Sequence, residues 1–255
     1  MTNTPPEQRQ WEQPILGLRV QPTSPHEVTM QVIRWAKAGE SRVVYTVNMQ
    51  RTMQAHQHAY FREIINQADL VISEGQSLVW MLRLLGCSHH KPVDRQKLIK
   101  QVLCAAEKNG LSVGFYGSQP DVYEALIPKL QDDTPGLSIV YAASPADNAL
   151  GEGRRERILT EIRLANPQIL FVSLGSPREE RWMAENRGEL PMVMLGAGRA
   201  LEAYAGRKDK ATAWRNKPIK ALGRLWRRMI KDYPQFIWHA TLQLVGKGAV
   251  EDEAP

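Results

Sequence analysis

Only two cysteines, Cys87 and Cys104, occur in 255 residues. They lack metal-ligand spacing and give no sign of a disulfide framework, so a reducing compartment is the default. No window approaches the roughly 18–20 uninterrupted apolar residues that span a bilayer. The opening stretch, MTNTPPEQRQWEQP, has no apolar core and is no secretory signal. His56 and His58 fall on a polar helical stretch and His89-His90 in a loop. None has Asp, Glu or Cys at ligand spacing, and no metal is expected. Acid is almost missing from one region: between Arg207 and Lys231 stand ten Lys and Arg against the single Asp209. What remains is ordinary, with 43% hydrophobic and 24% charged residues, enough for one large domain with a small appendage. The basic block carries the net charge of +6 and would attract polyanions, whether nucleic acid, phosphorylated substrates or anionic headgroups.

Short apolar runs alternate with helical spacing along most of the chain. Strands are predicted over 43–47, 70–72, 112–116, 137–141, 169–174 and 192–195. Helices are predicted over 49–67, 78–85, 97–108 and 154–165, and from near 121 and 178. Such βαβ alternation predicts an α/β fold: a Rossmann-like, mainly parallel sheet with helices on both faces. A basic, amphipathic C-terminal helical appendage follows it. The expected organisation is a disordered leader over 1–13, the Rossmann-like domain over 14–206, the appendage over 207–245 and a disordered tail over 246–255.

Four predicted strand ends carry glycine or small polar turns: Glu74-Gly75, Gly117-Ser118, Gly175-Ser176-Pro177 and Gly196-Ala197-Gly198. Ligands of open parallel sheets sit beyond the carboxyl ends of the strands. Glycines let backbone amides approach a ligand, and each following helix points its positive end there. Glu74 reads equally as a functional base or as a carboxylate facing a helix dipole. Thr46-Val47-Asn48, after the first strand, reads as a helix N-cap on pattern alone. Gly175-Ser176-Pro177 suits a strand-to-helix turn with proline in the first helical turn.

The motifs, in order, resemble the WecG/TagA/CpsF family of bacterial glycosyltransferases over about residues 15–240. They are Thr46-Val47-Asn48, Ala68-Asp69-Leu70-Val71-Ile72-Ser73-Glu74-Gly75, Gly117-Ser118-Gln119-Pro120 and Thr134-Pro135-Gly136-Leu137. Gly175-Ser176-Pro177-Arg178-Glu179-Glu180 with Trp182 follows, and then Gly196-Ala197-Gly198 with Leu201-Glu202-Ala203-Tyr204-Ala205-Gly206. The resemblance implies an inverting transfer of a sugar, an N-acetylhexosamine or related hexose, from a nucleotide-sugar. The acceptor would be a polyprenyl-pyrophosphate-linked sugar, in cell-surface polysaccharide biosynthesis at the cytoplasmic face of the inner membrane. Such chemistry needs a carboxylate to take the acceptor proton and groups that stabilise the leaving diphosphate.

By the same resemblance Glu74 stands where the family's base is an aspartate, with Thr46 beside it as the second catalytic residue. Substrate contacts would come from Asn48, Gly75, Gly117, Ser118, Gly175, Ser176, Pro177, Arg178, Glu179, Gly196, Gly198 and Glu202. Lys91 and Arg95 stand near the family's phosphate-binding arginine, and Lys210 belongs to the C-terminal motif. No cofactor is implied beyond a UDP-linked donor. Departures are also evident: Glu for Asp at 74, Glu for Gln at 179, and altered motifs around 91–98 and 210–230. A second reading therefore stands beside the first, a non-catalytic relative that binds nucleotide-sugar or acts as a scaffold in a polysaccharide assembly complex.

Ile219, Leu222, Leu225, Trp226, Met229 and Ile230 recur at helical spacing among the cations, and Tyr233, Phe236, Ile237 and Trp238 follow. With a membrane-lipid acceptor, residues 207–238 are expected to meet an anionic membrane surface. The alternatives are a helix packed on the main body or a protein contact, self-association included. A nicotinamide enzyme would need Gly-x-Gly-x-x-Gly, and Gly196-Ala197-Gly198 lacks the third glycine. Nucleic acid is not an expected partner, because the cations share their helix with a large apolar stripe.

Overall fold

The structure, a computed structural model, describes residues 13–87, 92–145, 153–206 and 233–246. The expected leader up to residue 12, the basic segment over 207–232 and the tail from 247 lie outside the described residues. The principal strands are β3 (Arg42–Val47), β4 (Leu70–Ser73), β5 (Ser112–Tyr116), β6 (Ser138–Ala143), β7 (Ile169–Val172) and β8 (Val193–Gly196). They form one sheet in the order β4-β3-β8-β7-β5-β6. The pairings of β3 with β8, β8 with β7, β7 with β5 and β5 with β6 are all parallel. The expected α/β sheet is what the chain builds.

The chain divides into two compact units, with the boundary inside β3 between Tyr45 and Thr46. The larger unit holds residues 24–45 and the described residues from Asp94 to Gly206. In it β7 and β8 are buried along their whole length, which explains their continuous apolar sequence. Helix α1 (Pro25–Lys37) starts in a capping box: Ser24 Oγ accepts from Glu27 N–H, and the Glu27 carboxylate accepts from Ser24 N–H. It buries Val28, Val32, Trp35 and Ala36 at helical spacing and packs on α5 (Arg95–Lys108). The Asp94 carboxylate caps α5 by accepting from the amides of Gln96 and Lys97, so the helix begins two residues before the predicted 97–108. β6 lies at the sheet edge with Ser138, Val140 and Ala142 exposed. It runs one residue later and two residues further than predicted.

The smaller unit begins with a hairpin that sequence reading did not find. β1 (Gln13–Ile15) pairs antiparallel with β2 (Leu18–Val20) through Leu16 and Gly17, both at positive φ (49° and 85°). Gln13, expected in the leader, is the first residue of β1.

The helix predicted over 49–67 is two, α2 (Met49–Gln57) and α3 (Ala59–Asn66), broken at an extended His58. The break has a packing cause. A straight helix would carry Tyr60 and Glu63 onto the face that Met49 and Met53 bury. Resetting the phase at His58 buries Phe61, Ile64 and Ile65 instead and leaves Tyr60 in solvent.

Helix α4 (Gln76–Leu84) follows β4. The C-terminal helix of this unit, Tyr233–Leu244, has Phe236 and Ala240 buried. Its Gln243 accepts from Leu16 N–H (2.9 Å) and donates to the Pro14 carbonyl, and its His239 ring lies 4.4 Å from that of His56. Its inner face therefore packs within its own unit, while Ile237 and Trp238 stay about 60% exposed. Among the described residues no helix is long and apolar enough to cross a membrane.

Candidate active site at the strand ends

In the larger unit β8, β7 and β5 are adjacent and parallel, so the turns after them share one rim. Gly117 follows β5 at φ 115°. A Cβ there would lie 2.7 Å from the Ser173 carbonyl carbon and 2.8 Å from its oxygen, so both the conformation and the close approach demand glycine. Ser118 is buried beneath this turn. Its amide donates to the Tyr123 hydroxyl (3.1 Å) and its hydroxyl to Ser173 Oγ (2.9 Å). Ser173, the first residue after β7, passes its own hydroxyl hydrogen to the Gly198 carbonyl.

Helix α8 (Arg178–Glu185) opens after Gly175 and a cis Ser176–Pro177 bond. Arg178 and Ser176 face solvent. Glu179, by contrast, is fully buried. Its Oε2 accepts from the Gly198 amide (2.9 Å), while its Oε1 fills the space a Cβ at Gly196 would need, also 2.9 Å away. The adjacent Glu180 is equally enclosed, and its carbonyl accepts from the Tyr45 hydroxyl (2.7 Å). Trp182, one turn along α8, sits 4.9 Å from the Tyr116 ring. The Ala197 amide donates to the Val172 carbonyl (2.7 Å). The Gly196-Ala197-Gly198 turn thus points the amides of Ala197 and Gly198 into the protein, although sequence reading expected such amides to face a ligand. The exposed groups it presents include Arg199, which opens the short helix α9 (Ala200–Tyr204) carrying the half-buried Glu202. Arg95 is buried at the start of α5.

In the smaller unit Thr46 is buried one residue before β3 ends at Val47, and Asn48 caps α2 by accepting from the Arg51 amide (3.1 Å). The Arg51 guanidinium reaches back to the Thr46 carbonyl (2.7 Å). The Glu74 amide donates to the Val47 carbonyl (2.7 Å), and Glu74 forms a parallel bridge with Val93. The backbone thereby brings Thr46, Asn48 and Glu74 onto neighbouring strand ends. Glu74 is half-buried and Gly75, at φ 90°, opens α4. The N-cap reading of Asn48 is realised. Lys91 and Lys210 lie outside the described residues. Ser173, Tyr123 and Arg51 escaped sequence reading. Their partners are loops and ends that only the fold assembles, and no local pattern marks them. Among the described residues no group of His, Cys, Asp and Glu is arranged to hold a metal ion.

Chemically, the larger unit offers a rim with exposed cations over a rigid, internally hydrogen-bonded floor. The smaller unit offers Glu74, a half-buried acid at a strand end. The parallel sheet with glycine and polar turns at its strand ends defines a Rossmann-like α/β protein.

The comparison with known proteins makes the class specific. Residues 13–249 match the glycosyl transferase WecG/TagA/CpsF family, and the chain belongs to that family. It is 24% identical over 173 residues to the N-acetylglucosaminyldiphosphoundecaprenol N-acetyl-beta-D-mannosaminyltransferase of Bacillus subtilis, covering 68% of this chain and 66% of that protein. It is 27% identical over 202 residues to the protein of the same name from Staphylococcus aureus, covering 76% of this chain and 78% of that one.

Proposed function

We propose that this protein transfers an N-acetylhexosamine or related sugar from a nucleotide-sugar, UDP-linked in the first instance, to a polyprenyl-diphosphate-linked sugar, with inversion. In this reading Glu74 takes the proton of the acceptor hydroxyl, the oxygen forms its bond to the anomeric carbon, and the nucleoside diphosphate leaves with the electrons of the old bond. Thr46 and Asn48 support the backbone beside the base. Arg178, Arg95, Lys91 and Lys210 are the cations assigned to the diphosphate, and Ser176 and Glu202 are assigned to the donor. The observation that carries the reading is membership of the family over residues 13–249. The half-buried position of Glu74 just after β4 supports the choice of base. The relatives' names make an N-acetylmannosaminyl donor and an N-acetylglucosaminyl-diphospholipid the first substrates to try.

The test incubates the purified chain with a panel of UDP- and GDP-sugars and a short polyprenyl-diphosphoryl sugar, beside Glu74→Gln. Product that depends on Glu74 supports the proposal. Donor binding without any product would shift the reading to the non-catalytic relative.

With a lipid-linked acceptor, this reading also puts the chain peripherally at a membrane, at the inner, cytoplasmic face. The ten cations between Arg207 and Lys231 and the exposed Tyr233, Ile237 and Trp238 after them suit an anionic headgroup layer. Sedimentation with phosphatidylglycerol vesicles should retain the full chain and lose one shortened at Gly206. Equal retention of both would remove the membrane assignment.

A further inference from the structure

The turn after β8 is held at both ends of one residue. Gly198 stands at φ 52°, in the left-handed region, where glycine has its widest choice of conformations. Its amide is fixed by Glu179 Oε2 and its carbonyl by Ser173 Oγ. Ser173 is in turn oriented by Ser118, whose hydroxyl donates to it at 2.9 Å. All four residues are buried, and they come from the ends of β5, β7 and β8 and from α8. The hydroxyl of Ser173 lies between two of these ends, accepting from one and donating to the other. Removing it would free the Gly198 carbonyl and leave the Ser118 hydroxyl without that acceptor. Gly117 adds a steric constraint, because its approach to the Ser173 backbone fixes where that residue sits.

We propose that Ser173 is a positioning residue for donor binding. Through Gly198 it locks the turn that presents Arg199 and the start of α9 at the rim, so that the rim is ordered before a nucleotide-sugar arrives. This rests on the reading that the rim of the larger unit receives the donor. A rim that must order itself on binding loses affinity for its ligand, whereas one already ordered does not. Ser173 is buried and its hydroxyl bonds only within the rim, to Ser118 and Gly198, so its loss should weaken ground state and transition state alike and raise KM with little change in kcat.

The experiment measures calorimetric affinity for UDP-N-acetylhexosamines, together with donor KM and kcat. It uses the wild-type chain, Ser173→Ala, Ser118→Ala and a control, Thr29→Ala. Thr29 is a buried hydroxyl that donates to the Pro25 carbonyl (2.8 Å) in α1 of the same unit, so its loss matches the chemistry away from the rim. Ser173→Ala should weaken donor binding and raise KM about fivefold to tenfold, as loss of a buried hydrogen bond would. Ser118→Ala should do so by a smaller factor, and Thr29→Ala should leave donor affinity unchanged. If Ser173→Ala fails to fold, Ser118→Ala against Thr29→Ala decides. Unchanged donor affinity in the serine variants of a wild-type chain that does bind donor overturns this inference alone. A wild-type chain that binds no donor overturns the underlying functional reading, and this inference with it.

Discussion

The two units treat the ends of their strands differently. In the larger one the polar groups beyond β5, β7 and β8 are turned inward and bonded to each other: Ser118 to Ser173, Ser173 to Gly198, Gly198 to Glu179. In the smaller one the backbone is tied, through Glu74 N–H to the Val47 carbonyl and Asn48 to the Arg51 amide, and Glu74 is half-buried rather than enclosed. The first arrangement suits holding a ligand in one geometry. The second suits exchanging a proton. If the proposed function holds, rigidity and proton exchange fall to separate stretches of chain, and substitutions should separate them.

The largest effect is expected at Glu74. Glu74→Gln should reduce turnover about 10²–10⁴-fold, the usual worth of a general base, while leaving the denaturation midpoint and donor affinity where they were. A loss of stability that matched the loss of rate would erase the contrast between the two rims. Next comes Gly117→Ala. The positive φ and the approach of 2.7 Å to the Ser173 backbone predict a destabilisation of about 2–4 kcal/mol, read by urea unfolding. A variant as stable as wild type would show that the rim yields more readily than its hydrogen bonds suggest.

The smallest effect is electrostatic and belongs to the smaller unit. Burial, then the neighbouring His239 and more weakly Arg62, hold His56 below its ordinary value of 6.5, while a backbone bond to Leu16 works in the opposite direction. The folded chain then binds this proton less readily than the unfolded one. The stability this contributes is complete above the unfolded value and is lost as pH falls through the lower folded value. Thermal midpoints measured from about pH 8 down to about pH 5 should fall more steeply for wild type than for His56→Gln. Parallel curves would mean that the His56–His239 contact is indifferent to charge.

Most of the sheet was legible because its strands are short, apolar and followed by glycine or small polar turns: the strands expected over 112–116, 169–174 and 192–195 form over 112–116, 169–172 and 193–196. The hairpin at Gln13–Val20 was missed because three-residue strands carry too little alternation to register. Helix α1 announces itself through Ser24, Pro25 and Glu27, a capping signal that was present but not read. The single helix expected over 49–67 failed because its apolar residues shift phase near His58, a displacement of about one residue that composition conceals. At the site, the glycines and Glu74 were visible as residue types at strand ends. Glu179 was visible as well, though not that it would be enclosed and bonded to Gly198. Ser173 could not be found this way, since its partners lie 55 residues before it and 25 after it.

The carboxylate of Glu179 occupies the volume that a methyl group at position 196 would require. These two sites are therefore not independent in variation. A methyl at 196 on the present background collides with that oxygen, but a shorter side chain at 179 opens the room. A methyl could therefore enter at 196 only with a change at 179, and a side chain at 179 lacking the carboxylate would also free the amide of Gly198 and loosen the rim.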